Sequence, residues 1–437
     1  MEQAPLVVMV ATFGILLILN VPIAFSIGLC TLSGLMVIGG RPALVTIAHR
    51  VATGIDSFAL LAIPFFILSG MLMGRGGLAK RLIDFASVVV GRFQGGLAFV
   101  NVVTCMLFGS ISGSAVAAVS SVGGFMIPAM NKKGYPRDFN TAVSITSATT
   151  GLLIPPSNIM IVYSLASGGL SVAFIFLAGF LPGILMGLGL MFVSWLFARG
   201  KGYGKEAGGG IKDFFIHFKR AILSLLLVFI VLGGIIGGVF TATEASAIAV
   251  LYSFLLTVVL YREVRLSDLP GIILDCGITT AVVMLLIGTS MAMSWVLAYE
   301  NIPQGISAFL INLTDNRLII FLIINLILLI VGTFMDMTPA VLIFTPIFLP
   351  VVVNLGMDPI HFGIMMIFNL CIGICTPPVG TCLFVGCSIA KTTIGKVTRP
   401  LLPFFIAMIV VLFLVTYIEQ ISLLVPEIFG YEPVHGN

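Results

Sequence analysis

GLLIPPSN at 151–158 and GICTPPVG at 373–380 each set two consecutive prolines in the middle of a long apolar run. Proline has no backbone N–H and pushes the residue before it out of helical geometry. Each pair should therefore unwind a helix and free carbonyls that have no partner along it. Upstream lie FGSISGS at 108–114 and GTFMDMTP at 332–339, polar breaks in two further apolar runs. Irregular backbone at membrane depth is tolerated only where it is buried in protein or lines a cavity. Freed carbonyls and hydroxyls are hard oxygen ligands that suit Na⁺. One ion site is assigned to Ser110 and Ser112 with the backbone of Gly151, Ile154 and Pro156, and its counterpart to Gly332, Thr333, Gly373, Thr376 and Pro378. A single break would read as a kink, with Gly and Ser serving helix packing. Two breaks at matched spacing favour the ion sites.

Asp336 is the one acid placed deep in the membrane. Such a residue is expensive there and marks function by default, although it can also order the hairpin tip through hydrogen bonds. Ser157, Asn158 and Thr381 follow the breaks, where they can face a substrate or satisfy the loosened backbone. Glu244 follows Thr241 and Thr243 and reads as part of a helix N-terminus. No Lys or Arg falls inside an expected span or hairpin tip. An anionic substrate would then be met by half-helix N-termini, amides and bound Na⁺.

Phosphate-cradle, zinc-protease and serine-hydrolase motifs find no residues in this chain. His49, His217 and His361 sit near span ends without clustering, and CIGIC at 371–375 lacks the partners of a zinc site. Paired acids at one depth are missing, so the reading is not an enzyme.

The elements that must position these residues follow from composition. Of 437 residues, 59 % are hydrophobic and 9 % charged, and the mean hydropathy is +1.21. A spanning helix needs about 20 apolar residues. The chain is therefore an all-α polytopic membrane protein. No cleavable signal peptide is evident at MEQAPLVVMV. The apolar runs lie at 6–38, 55–74, 95–129, 139–166, 168–198, 221–240, 243–261, 270–299, 318–352, 361–388 and 401–424. If 95–129 and 318–352 are re-entrant hairpins, 18 of the 21 Lys and Arg share one side, with only Arg41, Arg50 and Arg317 elsewhere. The positive-inside rule makes that side cytoplasmic. Nine crossings result, with the N-terminus inside and the C-terminus outside. The segment 78–91 suits an interfacial helix leading into the first hairpin.

The halves match. Gly109 precedes Gly151 by 42 residues and Gly332 precedes Gly373 by 41, each as a hairpin followed by a Pro-Pro-broken helix. The first hairpin has basic flanks and the second lies between NLTDNR and NLGMDP, so the two enter from opposite faces as inverted-topology repeats. The expected organisation is an N-terminal scaffold region 1–54, a first repeat 55–198, a Gly/Lys-rich cytoplasmic linker with scaffold helices 199–269, a second repeat 270–424, and a tail 425–437.

At NVPIAFSIG, LLAIPFFILSGMLM, FGSISGSAVAAVSSVG, GLLIPPSN, AGFLPGILMG, GGIIGGVFTATEA, MDMTPAVLIFTPIFLP and TPPVG, the chain resembles the large membrane subunit of tripartite ATP-independent periplasmic (TRAP) transporters. The resemblance covers nearly the whole chain. It implies a Na⁺-driven elevator importer of organic acids in the bacterial inner membrane. Its partners would be a small four-helix membrane subunit, here a separate polypeptide, and a periplasmic substrate-binding protein. Nucleic acid has no part in it. The implied substrates are C4-dicarboxylates, sialic acid and other sugar acids, with the overall look leaning to the sialic acid type. A stand-alone Na⁺/dicarboxylate carrier with the same hairpin plan is the alternative. An ATP-driven permease would need a coupling loop, and 199–220 does not look like one.

Overall fold

The computed structural model describes residues 4–19, 21–39, 42–199, 211–314 and 316–434, and these are helical with no strand. In the first half the helices are α1 (Ala4–Ile18), α2 (Ile23–Gly39), α3 (Pro42–Gly54), α4 (Ala62–Arg75), α5 (Leu78–Val90), α6 (Gly96–Ser112), α7 (Ala115–Ala118), α8 (Gly124–Lys132), α9 (Arg137–Leu153), α10 (Asn158–Ala166) and α11 (Val172–Ala198). The second half holds α12 (Ile211–Ile236), α13 (Ala242–Phe254), α14 (Leu269–Tyr299), α15 (Ile302–Leu313), α16 (Arg317–Phe334), α17 (Met337–Asn354), α18 (Pro359–Gly373), α19 (Thr381–Ala390), α20 (Ile394–Tyr417) and α21 (Gln420–Ile428). Most of the linker at 199–213 lies outside the described residues.

Among the described residues, eight helices are long and apolar enough to cross a membrane, or nine if the bent pair α9–α10 counts as one. Both hairpins and both broken helices fall where the sequence puts them. In the first hairpin α6 packs on α7 and on α8 beyond it, so the second arm folds back along the first. In the second, α16 and α17 meet at Met335 and Asp336 and both pack on α18.

Two apolar runs divide differently from the sequence reading. The run 6–38 is not one crossing but two helices, α1 and α2, packed antiparallel. Thr12 Oγ1 lies 3.2 Å from Ser33 Oγ, and a Cβ on Gly34 would fall 2.5 Å from Met9 Cγ. Pro22 is the reason, because it has no N–H to continue α1 and its carbonyl instead accepts from Ser26 N at 3.1 Å, inside the start of α2. Ala4 and Gly39 therefore sit at the same end of the pair. The run 401–424 ends a helix at Tyr417, and α21 begins three residues later, so the expected tail at 425–437 starts inside α21.

The two halves pack in matching pairs. Helix α6 lies on α9 as α16 lies on α18, α9 lies on α20 as α18 lies on α11, and α4 lies on α13 as α14 lies on α2. Matched polar clamps reinforce this. Asn101 Nδ2 donates to Ser144 Oγ at 2.6 Å between α6 and α9, and Asn369 Nδ2 donates to Asn325 Oδ1 at 2.8 Å between α18 and α16. All four residues are buried, where a hydrogen-bonded polar pair fixes helix register and an unpaired one would be costly.

Candidate functional site

The breaks have a local cause. A helical carbonyl bonds the N–H four residues on. For Gly151 and Leu152 those residues are Pro155 and Pro156, and for Gly373 and Ile374 they are Pro377 and Pro378. Helix α9 accordingly ends at Leu153, and the backbone of Ile154 after it is extended (φ −90°, ψ 121°). The pair α9–α10 bends by 51° across the break. Both Pro-Pro bonds are cis.

The second break is partly repaired. Thr376 N donates to Gly373 O at 2.8 Å, and Cys382 N donates to Ile374 O at 3.1 Å. The proposed ion ligand Gly373 O thus keeps only one lone pair. No such cap or loop bond reaches Gly151 O or Leu152 O among the described residues.

Each half brings its hairpin onto its broken helix at a glycine pair. A Cβ on Gly109 would fall 2.5 Å from Gly151 Cα, and a Cβ on Gly373 would fall 2.5 Å from the Gly332 carbonyl carbon. Matched sequence spacing becomes matched backbone contact, closer than any side chain allows.

The candidate hydroxyls point their protons away from the breaks. Ser110 Oγ donates to Leu107 O at 2.9 Å, Thr333 Oγ1 to Leu329 O at 2.9 Å, and Thr376 Oγ1 to Ile372 O at 2.7 Å. Ser112 Oγ lies 3.4 Å from Ser114 O. A hydroxyl that donates to a helix carbonyl leaves its lone pairs for a cation. Ser157 Oγ, 1 % exposed at the first break, has no hydrogen-bond partner. Such an orphaned buried oxygen beside unpaired carbonyls fits an ion that has still to be supplied.

A cavity of about 580 Å³ joins both hairpin tips to both broken helices. Ser112, Asn158, Asp336 and Thr381 line it together, two from each half. Asn158 abuts the first tip, since a Cβ on Gly113 would meet its Nδ2 at 3.0 Å. Asp336 holds the N-cap position of α17, where the helix end favours negative charge, and is exposed to the cavity. Ser110, Ser157, Gly151, Ile154, Pro156, Gly332, Thr333, Gly373, Thr376 and Pro378 lie off the lining. Ser112, assigned to an ion site, thus shares the lining with Asn158, Asp336 and Thr381, while Ser157, expected to face a substrate or satisfy the loosened backbone, lies off it.

The far wall is α4 and α14. Gly70 of α4 sits against the first tip, where a Cβ would stand 2.7 Å from Ser112 O. Sequence reasoning missed this wall and the cation in it. Arg75, the last residue of α4, lines the cavity and bonds Asp275 of α14 at 2.7 Å, both about half exposed. Arg75 lies one residue beyond the apolar run 55–74, outside the expected span, and still reaches the cavity. Arg75 is near a span end in sequence, and the packing of α4 and α14 around the tips carries it to the mouth. Ser114 and Thr338, one at each tip, also line the cavity. Cys371 and Cys375 instead pack their thiols on α9 carbonyls, Thr149 O and Ile145 O, each at 3.5 Å.

Two inverted helical repeats, each with a hairpin and a broken helix meeting at a shared cavity, define the architecture of a membrane transporter. The fold is similar to that of the Alcanivorax borkumensis YdaH transporter, at a TM-score of 0.61 and 13 % identity over 86 % of this chain and 88 % of that one. Residues 10–421 match the family described as tripartite ATP-independent periplasmic transporter, DctM component, and the chain belongs to that family. It is 52 % identical to the uncharacterized protein YgiK of Salmonella typhimurium, over 98 % of both chains. It is 38 % identical to the C4-dicarboxylate TRAP transporter large permease protein DctM of Rhodobacter capsulatus, over 96 % of this chain and 98 % of the relative. To the sialic acid TRAP transporter large permease protein SiaM of Vibrio cholerae it is 36 % identical, over 95 % and 97 %.

Proposed function

We propose that this TRAP large permease, a multi-pass protein of the inner membrane, imports an organic acid together with Na⁺ by an elevator movement of its hairpins and broken helices against α4 and α14. The cavity shared by both tips and both breaks carries the reading. It offers a substrate polar groups from both halves, with candidate oxygen ligands for the ion at its lining, in Ser112, and off it at the two breaks. A C4-dicarboxylate or a sialic acid is the substrate, the two classes carried in the names of its relatives. Identities of 38 % and 36 % are too close to separate them. A small membrane subunit and a periplasmic binding protein complete the transporter.

In this reading the basic flanks and the mouth at Arg75 face the cytoplasm and the C-terminus lies outside, and the pairing of α1 with α2 supports an outer Ala4 in place of the expected inner N-terminus. Arg75 meets the anion as it leaves, in competition with Asp275. Ser110, Ser112, Thr333 and Thr376 supply hydroxyl ligands to Na⁺, with carbonyls of Gly151, Ile154, Pro156, Gly332, Gly373 and Pro378. Asp336 holds the second tip in order.

Sealed vesicles containing both membrane subunits test this. An inward Na⁺ gradient should drive accumulation of succinate or N-acetylneuraminate only with the binding protein outside. Uptake without that protein favours the stand-alone carrier, and uptake that ignores Na⁺ sinks the coupling. One net charge is worth roughly 2.3 kcal/mol per 100 mV. A monoanion moving with two Na⁺ should thus speed up when the inside is negative, and a dianion should not.

A further inference from the structure

Away from the cavity, on the basic face, a pocket of about 800 Å³ opens between α5, the start of α12, the end of the α13 segment and α8. Lys80, Arg81, Lys219 and Arg220 line it, with Asp84 and Glu263. Arg81 is already engaged. It donates to Glu263 Oε1 at 2.6 Å and to Gly76 O at 3.2 Å, and its guanidinium lies 3.7 Å over the Tyr261 ring. Among the described residues, Lys80, Lys219 and Arg220 have no carboxylate within 4.0 Å. Three cations therefore face one uncommitted acid, Asp84, and the pocket is net positive.

Its other lining is apolar and open. Phe125 is 56 % exposed, Ile216 49 % and Leu260 59 %. Large apolar side chains beside lysines are the pattern of a bilayer interface, where the stems lie among acyl chains and the charges reach the headgroups. The walls are held in place, because Phe85 of α5 packs on Phe214 and Phe218 of α12 with ring centroids 6.0 and 5.9 Å apart. By contrast, the groove of about 980 Å³ between α11 and α20 is apolar with a single cation, Arg399, and has no charge cluster to select a headgroup.

We propose that the pocket holds one anionic phospholipid of the inner leaflet, its phosphate on Lys80, Lys219 and Arg220 and an acyl chain along Phe125, Ile216 and Leu260. Basic pockets between membrane helices on the cytoplasmic side recognise anionic headgroups in this way. The inference rests on the membrane placement of the basic face and not on the transport reading. The lipid would bridge α12 to the first hairpin, since α5 leads into α6 and Phe125 belongs to α8.

Native mass spectrometry of the full chain in detergent, titrated with dioleoyl phosphatidylglycerol or dioleoyl phosphatidylcholine, tests it. The expected result is one phosphatidylglycerol adduct that outlasts phosphatidylcholine at rising collision energy. The variant Lys80→Gln/Lys219→Gln/Arg220→Gln should lower its occupancy at least fivefold, while Arg399→Gln leaves it unchanged. All three positions in the triple variant are exposed, and monodisperse elution with unchanged helicity verifies that it folds. Equal retention of the two lipids, or wild-type occupancy in the triple variant, overturns the proposal. Loss of the adduct to millimolar inorganic phosphate would reassign the pocket to free phosphate.

Discussion

Gly109→Ala should loosen the first proposed ion site far more than Gly332→Ala loosens the second. An added Cβ at Gly109 would stand 2.5 Å from Gly151 Cα, whereas ordinary contact begins at 3.4 Å. The obstacle is backbone, so no side chain can swing aside, and α6 must part from α9 by 0.9 Å, the difference of those two distances. A binding constellation tolerates displacements of about 0.5 Å. Overpacking of this kind costs about 1–3 kcal/mol. Borne by the ion-bound state, that lowers Na⁺ affinity about 5- to 150-fold. At Gly332 the added Cβ would meet Gly373 Cα at 3.1 Å, which needs 0.3 Å. That lies inside the tolerance, so the expected change is less than about twofold. The assay is the Na⁺ concentration for half-maximal uptake in vesicles holding both membrane subunits, with the binding protein outside. Thermal unfolding of each variant separates a loosened site from a damaged fold. Wild-type Na⁺ dependence in Gly109→Ala, or an equal shift in Gly332→Ala, would refute the argument that these glycine contacts hold ion ligands in place.

Asp336→Ala should cripple uptake while insertion and subunit assembly persist, and Asp336→Asn separates charge from shape, since full activity in the Asn variant would leave Asp336 only a hydrogen-bonding role. Ser112→Ala and Thr376→Ala each remove one proposed hydroxyl ligand without mending the helix breaks, and each should raise the Na⁺ requirement by about tenfold if the lost bond is worth about 1.4 kcal/mol. Unchanged Na⁺ dependence in both would make the breaks packing devices. Tyr431 ties the C-terminal tail to the start of α18, its hydroxyl donating to Asp358 Oδ2 at 2.8 Å beside Val434 N at 2.9 Å. Burial, and then the bond to the Asp358 carboxylate, push its phenol above the usual tyrosine range. A raised folded value means that its contribution is fully present below about pH 10 and is lost as pH rises through the raised value. Hydrogen exchange of the tail should therefore be level from neutral pH to about pH 9 after correction for intrinsic rates, and Tyr431→Phe should speed it about fivefold, for a bond worth about 1 kcal/mol. Wild-type exchange in Tyr431→Phe would show that the phenol holds nothing.

The two helix breaks were legible because their cause is covalent. A proline four residues beyond Gly151 or Gly373 has no N–H to offer, whatever surrounds it. The near-equal separations of Gly109 from Gly151 and Gly332 from Gly373 likewise announced the repeat, and the structure turns each into a backbone contact. Continuous hydropathy hid the turn at Pro22 and the end of α20 at Tyr417, since apolar composition reports burial in lipid and not the direction of the chain. Nor could sequence tell that Gly373 O and Ile374 O are recaptured by Thr376 N and Cys382 N while Gly151 O and Leu152 O are given no such cap. Arg75 reaches the cavity through the packing of α4 and α14, and its partner Asp275 lies 200 residues away. Local covalent limits act on each residue by itself and can be read in order along the chain. Which freed carbonyl is paired, and which charge meets the cavity, depends on segments that become neighbours only when the helices pack.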